Sequence, residues 1–176
     1  YQQLTTQNPL FPLKGALELR LSKANRKITD TQTNQTLYLL KVSNIFNLNR
    51  NNSFYLRLQA QGIDSDRYLL NELIRFGGIK SIRGFEENSI NATNLGVLAS
   101  EYRYQLSPTL YIHSIIDAAY FETPTQYNQK LYGFGFGFGL LTDAGLLKFN
   151  LANGKTEEQN FKFSDSKIHL SLTATF

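Results

Sequence analysis

Cysteine is absent from this chain, which excludes a disulfide framework, a thiolate metal site and a cysteine nucleophile. Long apolar runs are missing as well: none approaches the roughly 18 residues that a membrane helix needs. A helical membrane protein is therefore excluded. Although the formal charge is +4 and the isoelectric point about 9.2, Lys and Arg form no basic run of five or more, so nucleic acid is not an expected partner. Histidine occurs at His113 and His169 alone. Neither lies in an H-x-x-E or G-x-S-x-G context, which speaks against a zinc or serine hydrolase. Tryptophan is also lacking, and the aromatic content of 13% comes from 10 Tyr and 13 Phe.

What the chain does have is alternation. Ile168-His169-Leu170-Ser171-Leu172-Thr173-Ala174-Thr175-Phe176 switches apolar to polar at every step, the mark of a strand with one wet and one apolar face. Ending on the ring of Phe176 is costly in water and natural at a lipid interface. Similar runs occur at 13–23, 37–46, 54–62, 95–105, 110–121, 131–141, 146–152 and 167–176, most of them near the 9 to 11 residues of a tilted membrane strand. A mean hydropathy of -0.30 decides nothing, because alternation averages out.

The connections are unequal. Short turns at 47–52, 106–109 and 142–145 alternate with longer polar loops at 24–36, 63–94, 122–130 and 153–166, the layout of outer-membrane barrels. The fold expected is all-β: a transmembrane antiparallel β-barrel of eight strands. Residues 1–12 would form a periplasmic N-terminal segment and 13–176 a single barrel domain with a long extracellular loop, 63–94. Phe54, Leu56, Leu58, Ala60, Tyr102 and Tyr104 would face lipid, and Arg57, Gln59, Gln61, Glu101, Arg103 and Gln105 the lumen. The leader of an exported chain would precede Tyr1, so the signal peptide is expected to have been removed.

Gly133, Gly135, Gly137 and Gly139 interleave with Phe134, Phe136 and Phe138. Four glycines on one strand face forfeit packing. They mark either a bend in a tightly curved wall or a flat track against which another segment lies. The long loop offers that segment: 76–85 is compact and glycine-punctuated. If Arg83 enters the lumen it needs carboxylate partners, because an unpaired buried guanidinium is expensive. Glu101 and Asp117, facing inward on the next two strands, are available.

Ile82-Arg83-Gly84-Phe85 resembles the (V/I)-R-G-(F/Y) tetrad in the sixth extracellular loop of the outer-membrane protein assembly factor (bacterial surface antigen) superfamily, which includes the BAM-complex barrel and two-partner secretion transporters. Five strands follow the loop there, as here. The resemblance implies that Arg83 contacts acidic residues in the lumen, with Glu101 and Asp117 in the matching positions and Gly133 to Gly139 as the glycine-rich strand. Ile115 and Ala119 depart from the F-x-D-x-G form around Asp117. Leu172, Ala174 and Phe176 are the expected C-terminal assembly signal. The chain resembles the C-terminal half of the family's 16-stranded barrel, without its POTRA domains. The favoured reading is a short, self-contained member in the bacterial outer membrane, with lipid, a second copy and unfolded barrel clients as partners.

The implied function is non-enzymatic help with insertion or export of outer-membrane proteins; the alternative is a structural or lipid-perturbing small barrel. An enzyme would need a nucleophile and base on the rim, whereas both histidines fall in strand interiors and Glu86-Glu87 reads as a solvated pair. No cofactor or metal site is expected.

Overall fold

Alternating side chains build the main sheet. The computed structural model describes residue 10 and residues 15–28, 31–157 and 161–174. The strands are β1 (Gly15–Ile28), β2 (Thr31–Asn47), β3 (Asn52–Ser65), β4 (Ile74–Phe76), β5 (Ile90–Ala92), β6 (Asn94–Ser107), β7 (Leu110–Glu122), β8 (Gln129–Thr142), β9 (Gly145–Thr156) and β10 (Lys167–Thr173). Eight of them pair in the order β1-β2-β3-β6-β7-β8-β9-β10, and β4 with β5 forms a separate two-stranded ribbon. Every pairing is antiparallel.

The chain is thus all-β, but its eight-stranded sheet is open: β1 and β10 are its two ends. The closed eight-stranded barrel expected from the sequence is not what the pairing shows. A closed barrel of that size has an interior just filled by its own side chains. Here the concave face also holds the β4–β5 ribbon and the turn between its strands, and that extra layer requires a wider curve.

Burial alternates residue by residue. On β6 the residues Leu95, Val97, Ala99, Glu101 and Arg103 are buried, while Leu98, Tyr102 and Tyr104 are exposed; on β7 Tyr111, His113, Ile115, Asp117 and Ala119 are buried, while Ile112 and Ile116 are exposed. The buried face is therefore the one carrying charge, and the exposed face is apolar, with Leu19 at 75%, Phe136 at 61% and Leu170 at 65%. So large an apolar exterior is untenable in water. Alternation with the apolar side turned outward is the pattern of strands that face lipid.

Three layers fill the concave side. Near the long-loop end Ile63, Ile74, Phe76, Ile82, Leu95, Val97 and Phe121 form an apolar cluster, in which the Phe76 and Phe121 rings meet edge to face at 5.2 Å. Charged side chains occupy the middle. Near the short-turn end Leu10, Tyr111 and Leu146 form a smaller cluster.

Two element boundaries differ from the sequence reading. The loop expected at 24–36 is mostly ladder, because β1 and β2 stay paired out to Ile28 and Thr31. Likewise β9 runs on to Thr156 before a single 3-10 turn at Phe163–Asp165. Leu10 is described within the expected N-terminal segment 1–12; the rest of that segment, with Phe176, lies outside the described residues.

Candidate functional site

The site begins as a row of side chains running across the sheet. Strand register sets Arg57 beside Ala99, Ala99 beside Asp117, Asp117 beside Gly133 and Gly133 beside Gly154. Successive strands thus present a cation, a methyl, an acid and two bare backbones on one inward face. The small residues leave a trough, and the loop tip lies in it.

A turn shapes that tip. Gly78 N–H donates to the Ile82 carbonyl at 2.9 Å and Ser81 N–H to the Gly78 carbonyl at 3.2 Å; the Ser81 hydroxyl accepts from Gly77 N–H at 2.7 Å. Glu87 closes the turn by accepting from Ile79 N–H at 3.0 Å, while Glu86 pairs with Lys167 at 3.0 Å. The two adjacent glutamates therefore serve different partners. Ile82 is fully buried, and its neighbour Arg83 is carried into the charged layer.

Arg83 is 3% exposed and all three nitrogens of its guanidinium donate hydrogen bonds. Its Nε and Nη2 form a fork on Asp117, at 2.8 and 2.6 Å, and its backbone N–H donates to the same carboxylate at 3.0 Å. Nη1 donates to Glu101, and Nη2 also reaches the Ser100 carbonyl at 3.2 Å. Burial alone would lower its pKa, but the hydrogen bonds it donates to Asp117 and the charge of Glu101 outweigh that and push it up, so the cation persists. The other oxygen of Glu101 accepts from Arg103 Nε at 2.7 Å. Arg103 in turn lies over the rings of Tyr55 and Tyr111, at 4.5 and 5.3 Å, where cation–π attraction holds it. Arg57 Nη2 grips the loop from the other flank through the Ser81 carbonyl, 2.5 Å away.

Gly84 carries the lock further. Its φ of 91° is left-handed, a conformation that disfavours any residue with a β-carbon, and such a carbon would also strike the backbone of Asn153. Its N–H donates to His169 Nε2 on β10 at 3.2 Å. The tip is therefore fastened to β6 and β7 on one side and to β10 on the other. The ring of Phe85 rests where a Gly154 side chain would be.

The four glycines of β8 have different neighbours. A β-carbon on Gly133 would collide with the Arg83 carbonyl; on Gly135, with β9 at Leu151 and Ala152; on Gly137, with backbone and Asn150 of β9 and with the His113 ring; on Gly139, with the Tyr111 ring. Gly133 is the track under the loop, and Gly137 and Gly139 also make room for bulky inward neighbours on β7. Sequence reasoning missed Gly154 and His169, although both can be placed from the register of neighbouring hairpins.

His113 is buried, its Nε2 within 2.8 Å of the Asn150 carboxamide oxygen. Among the described residues no group of three or more His, Cys, Asp or Glu is placed to hold a metal ion. Of the proposed C-terminal signal, Leu172 and Ala174 are both exposed.

Substituting His169→Phe removes the acceptor of the Gly84 N–H. Loss of one buried acceptor is expected to cost about 1 kcal/mol or somewhat more, read as a shift in the denaturant midpoint together with faster amide exchange at Gly84.

No curated protein matches the chain. A family model described as the Omp85 superfamily domain matches residues 5–171.

Proposed function

Because the chain belongs to the Omp85 superfamily, we propose that it is a non-enzymatic, outer-membrane β-barrel element that assists insertion or export of other outer-membrane proteins. The observation that carries this reading is the loop tip seated between Glu101 and Asp117 on the concave side, with the apolar face turned outward. That arrangement keeps the interior ordered while the exterior meets hydrocarbon. Among the described residues neither β1 nor β10 has a second neighbour, and hydrocarbon does not tolerate unpaired backbone groups. A strand from a client or from a second copy would satisfy them by edge addition.

Purified protein reconstituted into liposomes tests the reading, with folding of an unfolded barrel client followed by its resistance to protease. A client folding rate several-fold above that in empty liposomes is the expected result. Equal rates in loaded and empty liposomes would refute assistance and leave a structural barrel.

A further inference from the structure

The charged layer is not balanced. Arg83 and Arg103 share Glu101 and Asp117, which leaves Arg57 and Lys148 on the same face with no carboxylate in ion-pair range among the described residues. Arg57 spends one nitrogen on the Ser81 carbonyl, and its Nε, shut off from solvent, has no hydrogen-bond partner. Orphaned buried donors of this kind are rare in folded chains because each forfeits its hydration.

These cations surround a space. A cavity of about 190 Å³ lies between the loop and the sheet, lined among others by Arg57, Lys80, Lys148, Asn150, Ser171 and Thr173. Three cations without an acid partner among the described residues, an amide and two hydroxyls line it from β3, β9, β10 and the loop turn, while Glu101, the one acid in the lining, is committed to Arg83 and Arg103. Donors arriving from several directions suit a compact group with oxygens on all sides. Such a group also supplies the negative charge that the layer lacks.

We infer that this cavity binds a phosphate-type oxyanion, either free phosphate or the phosphate headgroup of a lipid. Occupancy neutralises Arg57 and Lys148 and joins the loop turn, through Lys80, to β9 and β10. Binding therefore stabilises the seated loop.

The test is urea unfolding of the full chain in phosphatidylcholine vesicles at constant ionic strength. One arm adds potassium phosphate in place of chloride; the other blends phosphatidic acid into the vesicles. A saturable rise of the midpoint in the phosphate arm identifies the free ion, and one confined to the phosphatidic acid arm identifies the lipid. In whichever arm responds, Lys148→Gln is expected to weaken the apparent affinity roughly tenfold or more, the loss of one charge-assisted contact. Arg57→Gln should act in the same sense, and if that variant does not fold, Lys148→Gln alone decides. Absence of a saturable shift in both arms, or an affinity unchanged by Lys148→Gln, would overturn the assignment.

Discussion

Replacing Arg83 by alanine is expected to lower unfolding stability by about 3–5 kcal/mol and to free the loop. The magnitude follows from stranding buried charge: Asp117 is 1% exposed, and its remaining donors would be the backbone N–H groups of residue 83 and of Ser100. An uncompensated buried carboxylate costs that much. Glu101 suffers less, because Arg103 stays on its second oxygen. The measurements are denaturant unfolding in vesicles and tryptic cleavage after Lys80, a bond still present in the variant. Unchanged stability and a loop that still resists trypsin would show that the fork on Asp117 contributes nothing. Exchanging the charges, Arg83→Glu with Asp117→Arg, should restore only part of the loss, since the new glutamate would face Glu101 as well.

Gly133→Val should be nearly as damaging for a different reason. The new side chain would occupy the place of the Arg83 carbonyl, and two rigid backbones leave it nowhere to go. Overpacking costs about 1–3 kcal/mol in a core, and expulsion of the tip adds the broken fork, for a total of roughly 3 kcal/mol or more. Cleavage by trypsin after Arg83 reports the expulsion. Gly135→Ala is the control: it meets β9 rather than the loop, so it should disturb the sheet while leaving Arg83 protected. Protection of Arg83 in Gly133→Val would mean that the tip does not rest on this strand.

The eight long strands were legible because two unlike surroundings, a packed concave side and an apolar exterior, write a period of two into the letters. Legibility fails where that contrast fails. The far ends of β1 and β2 pair Asn25 with Asn34, Arg26 with Thr33 and Lys27 with Gln32; consecutive polar pairs erase the alternation, and such a ribbon reads as loop. β4 and β5 have three residues each, too few for alternation to register. Closure failed for a volumetric reason, since strand count cannot reveal what else must fit inside the curve.

The candidate site was half legible. Arg83, Glu101 and Asp117 could be named as possible partners from charge and facing alone. Gly154 could have been added, because the Thr142 to Gly145 turn fixes a register that sets it opposite Gly133. His169 needed one more step, the pairing of β10 with β9 that puts it beside Asn150. The unpartnered Nε of Arg57 had no signature in the letters, since a missing hydrogen bond depends on where every neighbour ends up.

The bond from Gly84 to His169 joins positions 85 apart in the chain, whereas the fork on Asp117 spans 34. Ring closure over the longer span costs more entropy, and its acceptor exists in place only when β10 has been laid against β9. The tip is thus held at two places, on the middle strands and on the final one, so a wall without β10 in place would keep the fork on Asp117 and lack the bond to His169.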